Sequence, residues 1–283
     1  MLNGKQIGVI GLVVVMMGLL LSLDIKGLNK EGEGQHAGEA AKKAIGATQV
    51  NLTVERVSQP AKETLNAGLS AEITALEENL NSAPEAEKQK LLTELAQKWD
   101  DLNQPGPSAF YYQQIAEKGN TLKDWLKAGD QFTEAYQRSQ DSIIQPALVQ
   151  KALSAYQSAL KLDSKNLAAR TGSGVAYVNG AGSPMQGIQL LLGVVKEDPK
   201  NVNANLNLGL FSMKSGQFDK AVTRFKTVIE QRSTPEVWFY MASSLESLGK
   251  KADAIDAYIK AKELAGEPAL SKFVDNKIQE LSK

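Results

Sequence analysis

Few side chains in this sequence have the type and spacing that catalysis or metal binding requires. The one histidine, His36, stands alone, and there is no cysteine. A metal centre needs several converging ligands, and a lone imidazole without thiolate partners supplies one. The missing cysteines also exclude thiol nucleophiles and disulfides, a composition that suits an oxidising compartment. Two stretches, Gly172-Ser173-Gly174 and the run 179–183, are rich enough in glycine to cradle a phosphate. Neither ends in the Gly-Lys-Ser/Thr of a P-loop, and no strand pattern precedes either one. The acidic pairs Glu77-Glu78 and Asp100-Asp101 fall on expected outer helix faces, where carboxylates are solvated. Asn51-Leu52-Thr53 is a glycosylation sequon, with meaning only in a eukaryotic secretory compartment. No titratable cluster converges, so the sequence reads as non-enzymatic, without cofactor or metal.

Charge narrows the partners further. The 283 residues carry 32 acidic and 32 Lys plus Arg side chains. That balance argues against an electrostatic nucleic-acid surface, which needs a net basic face. An apolar share of 42% is ordinary for a chain with a real core.

What organises the C-terminal half is a rhythm. A small residue is followed by a large apolar one four later, a small or β-branched one three after that, and a helix breaker five further on. The sets are Ala152, Tyr156, Ala159, Ser164; Gly187, Leu191, Val194, Pro199; Ala221, Phe225, Val228, Ser233; and Ala254, Tyr258, Ala261, Gly266. Successive sets are offset by 35, 34 and 33 residues. Steps of four and three share one helix face, so each set is a buried stripe. The third repeat also shows the preceding helix, with Leu208, Gly209 and Ser212 on one face and Ser215-Gly216 turning into Phe218 and Ala221. A fixed period of this length marks stacked, near-identical units, each too small to bury its own core. Small residues at Gly209, Ala221, Gly174 and Ala254 let helix backbones approach closely.

These residues resemble the tetratricopeptide repeat. The stretch 201–222 matches that pattern at nearly every place. The last repeat matches through Trp238, Met241, Ala242, Leu245, Gly249, Ala254, Tyr258 and Ala261. The second matches through Gly174, Tyr177, Gly187 and Pro199, with one extra residue. The first has Trp125, Gly129 and Phe132, then about eleven extra residues before Ala152. Ser139 to Pro146 within them reads as a longer loop. Asn205 and Gly187 depart from the family's usual large residue and alanine. The resemblance implies an all-α solenoid of about four clear helix-turn-helix repeats.

Around this array the sequence sets further segments. Ile7 to Leu23 is 17 uncharged residues, roughly 25 Å of helix and at the short end for a bilayer core. A cleaved signal peptide needs a small-x-small site, which Leu21-Ser22-Leu23-Asp24 lacks, and a lipoprotein needs a cysteine. An uncleaved transmembrane signal anchor over 1–25 fits best. Residues 26–38 then form a flexible linker holding His36. The stretch 39–120 is a helical region. In it Leu65, Leu69, Ile73, Leu76 and Leu80 make one stripe, Asn103–Pro107 makes a turn, and 84–118 looks like a degenerate repeat-like hairpin. The repeats occupy 121–267, and 268–283 is a capping helix with Phe273, Ile278 and Leu281. A short N-terminal tail before a signal anchor usually stays cytoplasmic. The expectation is therefore a single-pass inner-membrane protein with its C-terminal domain in the periplasm.

The resemblance also implies a concave groove lined by the first helix of each repeat. The groove residues are Thr171, Val175 and Val178; then Asn203, Leu206, Leu210 and Met213; then Phe239, Ser243 and Glu246. Six are apolar, which suits a hydrophobic or amphipathic peptide. Asn207 sits at one site of the family's carboxylate clamp, but Thr171, Val175, Glu236 and Tyr240 hold the others, which disfavours that ligand. The expected function is a membrane-anchored scaffold that binds protein or peptide partners. It would assist envelope protein assembly or translocation; the alternative is a structural subunit of a membrane complex with no exchangeable ligand. The sequence leaves the oligomeric state open.

Overall fold

The computed structural model describes residues 51–180, 182–266 and 268–281. The expected membrane segment, the linker with His36 and residues 39–50 lie outside the described residues. Among the described residues there are thirteen helices and no strand. No helix among them is long and apolar enough to cross a membrane. They divide into two compact units between Pro184 and Met185.

The first unit holds α1 (Val54–Glu63), α2 (Ala67–Ser82), α3 (Glu85–Asp101), α4 (Pro105–Gly119), α5 (Leu122–Arg138), α6 (Gln145–Leu162) and α7 (Leu167–Asn179). The second holds α8 (Pro184–Glu197), whose first residue marks the division, then α9 (Val202–Lys214), α10 (Phe218–Gln231), α11 (Pro235–Ser247), α12 (Lys251–Ala265) and α13 (Pro268–Leu281). Helices pair as antiparallel hairpins: α3 with α4, α5 with α6, α9 with α10, and α11 with α12.

Three expectations change in detail. Leu65 lies in the turn between α1 and α2, so the stripe inside α2 starts at Leu69. Its centre, Ile73, is fully buried with Leu92, Leu95 and Trp99 of α3, so the stripe closes against its own chain. Pro105 to Pro107 form the first turn of α4 and not a loop, because proline fits where a helix N–H has no partner anyway. The turn itself is short and uses Asn103 at φ 59. Finally, the extra residues of the first repeat lengthen helices more than they lengthen the loop. α5 and α6 run to 17 and 18 residues against 13 and 14 in α9 and α10. The irregular part is 139–144, and Pro146 already belongs to α6.

The inter-hairpin turns come in two chemistries. Asp163-Ser-Lys-Asn166 and Asp198-Pro-Lys-Asn201 fold alike. Each aspartate accepts the backbone N–H two residues on (3.1 and 3.2 Å) and the asparagine amide (3.3 and 3.1 Å). Each asparagine then caps the next helix by accepting from Ala169 or Ala204, both at 3.0 Å. Two other turns use a tryptophan. The Trp125 indole N–H donates to Asn120 at 2.9 Å, and that of Trp238 donates to Ser233 at 2.8 Å.

In two hairpins an aromatic ring of the second helix lies on a glycine of a first helix. A Cβ added at Gly129 would sit 2.6 Å from the Tyr156 ring, and one at Gly172 would sit 2.2 Å from the same ring. Phe225 lies against Gly209 in the same way, at 2.5 Å. Gly209→Ala is therefore expected to destabilise the protein by about 1–3 kcal/mol through overpacking, although alanine is the better helix former by about 1 kcal/mol. Urea unfolding checks it. Adding Phe225→Leu should cost less than the two single losses combined, and strict additivity would refute the ring contact as the cause.

Candidate partner-binding face

The ten groove residues divide between the two units and meet different surroundings. In the first unit, Thr171 and Val175 of α7 are buried, and the Thr171 hydroxyl donates to the Leu167 carbonyl at 2.8 Å. Val178 is half-buried. In the second unit α9 presents Asn203, which is exposed, and Leu206, Leu210 and Met213, all half-buried. Asn207 is engaged within its own helix, donating to the Asn203 carbonyl at 2.8 Å. On α11, Phe239 is buried at 6% exposure. Its ring meets Tyr258 edge-on at 5.3 Å and Phe273 of α13 at 5.8 Å. Glu246 accepts from the Tyr258 hydroxyl at 2.7 Å and from Lys277 of α13 at 3.0 Å. Ser243 is half-buried between them in sequence. Of the six apolar groove residues, Val175 and Phe239 are thus withdrawn from solvent. Three of the four others, Leu206, Leu210 and Met213, lie one turn apart on α9.

The array has one more regular member than the sequence rhythm suggests. In α3–α4, Ala96 and Ser108 are twelve residues apart, as are Gly209 and Ala221. Both are fully buried, and the Ser108 hydroxyl donates to the Ala96 carbonyl at 3.2 Å. Leu92 and Trp99 flank Ala96 as core residues. The hairpin read as degenerate therefore keeps the spacing while replacing glycine by alanine and alanine by serine.

Placing that hairpin in register exposes a rule about polarity. In the four hairpins α3–α4, α5–α6, α9–α10 and α11–α12, an aromatic stands four residues after the small residue of the second helix. Where it is tyrosine, its hydroxyl donates to a carboxylate on the first helix of the same hairpin. Tyr112 donates to Asp100 at 3.2 Å, Tyr156 to Asp130 at 2.8 Å, and Tyr258 to Glu246 at 2.7 Å. The carboxylates are tied further: Asp100 also takes Ser108 and Lys127, both at 2.9 Å. In α9–α10 the aromatic is Phe225, which has no hydroxyl, and the facing positions carry Leu210 and Met213. Burial raises the Tyr258 phenol well above its usual range, and the hydrogen bond to Glu246 adds to this. Burial, then Asp100, push Tyr112 up to about 12.

Among the described residues no group of three or more His, Cys, Asp or Glu side chains is placed to hold a metal ion. On the second-helix side of the second unit, α10, α11 and α12 enclose a cleft of about 500 Å³ that the sequence reading missed. Trp238 and Met241 line it with Ala257 and Ile259, and Lys226, Asp253 and Asp256 stand around it. The residues are visible in the sequence, but only the packing of three helices brings them to one opening.

Residues 212–268 match the tetratricopeptide repeat family. They run from the end of α9 through α12 to the first residue of α13. No curated protein matches the chain. Among solved structures, one of the protein MamA is 17% identical, covering 65% of this chain and 95% of that one, with a TM-score of 0.45. Another is of YrrB, described as a TPR protein with an unusual peptide-binding site. It is 15% identical, covers 71% of this chain and 98% of that one, and has a TM-score of 0.42.

The tyrosine–carboxylate pairs give a pH dependence with a definite sign. A phenol whose folded pKa is raised stabilises the fold below its unfolded pKa of about 10, and that stability is lost as pH rises through the folded value. Urea midpoints are expected to fall as pH rises from about 10 toward the raised Tyr112 value of about 12. Tyr258→Phe should flatten this decline while costing about 1–2 kcal/mol near neutrality, the range for a hydrogen bond to a charged group. An unchanged slope in Tyr258→Phe would assign the alkaline loss to other groups.

Proposed function

We propose that this protein is a tetratricopeptide-repeat scaffold that binds a protein or peptide partner on the first-helix face of α9. The observation that carries the reading is the stripe Leu206, Leu210 and Met213, half-exposed and one turn apart, in the only hairpin of the four compared whose ring is a phenylalanine. Asn203 at its end offers an exposed amide. Such a stripe suits the apolar side of an extended or helical peptide. Segment 7–23 is taken as the membrane anchor, with the helical region on the periplasmic side. The anchor would raise the local concentration of the scaffold for partners at the membrane. A role in envelope protein assembly or translocation follows from that placement.

A second reading has its own support. Phe239 is buried under Phe273, and Glu246 is engaged by Lys277, so α13 occupies part of the expected face. The cleft bounded by α10 and α12 stays open. Both features favour a structural subunit that packs against neighbours without an exchangeable ligand.

Leu210→Asp is expected to reduce partner capture at least tenfold while leaving the thermal midpoint within a few degrees, because the residue is only half-buried. Phe239→Asp would instead place an unpaired charge in the core and unfold the last hairpin. Cross-linking in intact membranes, followed by identification of captured proteins in wild type and Leu210→Asp, decides between the readings. Equal capture by a folded Leu210→Asp protein overturns the α9 site. Protease access to the helical region in spheroplasts tests the side of the membrane, and protection there would refute the periplasmic placement.

A further inference from the structure

The side of α11 turned toward α9 carries a charge that the fold leaves unanswered. Phe225 fixes which side that is. Its ring lies against Gly209 of α9 and meets the ring of Tyr240 on α11 at a tilt, with centroids 5.8 Å apart. Glu236 stands one helical turn before Tyr240 and shares its side. Burial first, then the charge of Glu236, raise the Tyr240 phenol. Phe239 and Glu246, which α13 engages, form a separate stripe two turns long. Capping by α13 therefore takes one side of α11 and leaves Glu236 and Tyr240 on the other.

Both residues are half-buried. Among the described residues Glu236 has no ion pair, and the Tyr240 hydroxyl has no hydrogen bond. Arg224 of α10 is committed to Asn205 at 3.0 Å, and Arg232, four residues before Glu236, stays beyond ion-pair reach of it. The acid persists without a counter-ion because it stands in the first turn of α11, where a helix favours negative charge. α9 adds an acceptor. Asn207 gives its amide N–H to the Asn203 carbonyl at 2.8 Å, which leaves its side-chain oxygen without a donor. Asn203 and Asn207 precede Glu236 and Tyr240 by 33 residues, the offset between Gly209 and Ala242. The anion and the acceptors thus gather at the Leu206 end of the apolar stripe. We propose that the partner segment is cationic as well as apolar: one Lys or Arg side chain enters beside Glu236 and Tyr240, and neighbouring apolar side chains cover Leu206, Leu210 and Met213. The inference rests on partner capture at α9 and adds the charge of what is captured. The carboxylate and the aromatic ring both attract a cation, and the carboxylate repels an acidic segment.

Panning a phage-displayed library of random peptides on the purified full chain tests this. Enriched peptides are expected to combine apolar residues with Lys or Arg. A synthetic copy of an enriched peptide should bind about tenfold more weakly when its basic residue is replaced by Gln, and about tenfold more weakly to Glu236→Gln. The two losses should not add when combined, because they remove one and the same pair. Panning on Glu236→Lys should select acidic peptides instead. Melting of Glu236→Gln should stay within a few degrees of the wild type, since the residue lies outside the core. Enriched apolar peptides that need Leu210 but bind Glu236→Gln as tightly leave the α9 reading standing and overturn this inference. Peptides that bind Leu210→Asp equally well, or no enrichment at all, overturn both.

Discussion

The structure depends on aromatic rings lying against helix backbone where no side chain stands. Tyr156 shows the constraint most sharply, since its ring meets both Gly129 of its own hairpin and Gly172 of the next helix. A single ring thereby sets two helix separations, one within a repeat and one between repeats. A larger residue at either glycine would push apart both interfaces. Leucine in place of the ring would leave the glycines facing a void, which costs stability in proportion to its volume. The 34-residue rhythm is the sequence trace of such contacts, because each further hairpin must bring a large apolar side chain to the same height.

The ring's other end decides what a first helix shows to a partner. A buried phenol needs an acceptor, and in three hairpins a carboxylate on the first helix supplies it. That acid then has to sit at the inner positions of the first helix, so core chemistry imposes polarity on the face. Replacing tyrosine by phenylalanine removes the need for an acceptor and frees those positions for apolar residues. Phe225 with Leu210 and Met213 is the case in point. The apolar character of the α9 face and the missing hydroxyl beneath it are two sides of one choice.

This logic also marks how far the sequence could be read. The hairpins from α5 onward were legible because small residue, ring and breaker recur at fixed spacing. The α3–α4 hairpin keeps that spacing, but Ala96 and Ser108 hide it, and only the buried Ser108-to-Ala96 hydrogen bond reveals the equivalence. α1 carries Pro60 within its ten residues, which masked it as a helix of its own. The extra residues of the first repeat were legible as an insertion but not as helix extension, since Ala147, Leu148 and Gln150 continue a helix as readily as they fill a loop. For the face, sequence register placed Leu206, Leu210 and Met213 on one side of a helix. It gave no warning that Thr171, Val175 and Phe239 would be buried, because burial depends on neighbours distant in sequence. Phe273, which covers Phe239, lies far downstream in the C-terminal helix.

The end of the array shows why those losses fall where they do. α13 packs on α12 as the first helix of a further repeat would, with Val274 fully buried, yet no second helix follows it among the described residues. Its outward side carries Lys272, Asp275 and Glu280, and Asp275 is drawn to Lys262 at 2.5 Å. A solenoid needs such a polar end to remain in solution. The helix that supplies it must bury its own apolar side, and it does so on α11, through Phe273 on Phe239 and Lys277 on Glu246. Capping and partner binding therefore compete for the last first-helix face, and capping takes it. Exposed apolar surface on a first helix can persist only on an interior hairpin whose ring requires no acid. Within the second unit α9 meets both conditions, and α11 meets neither.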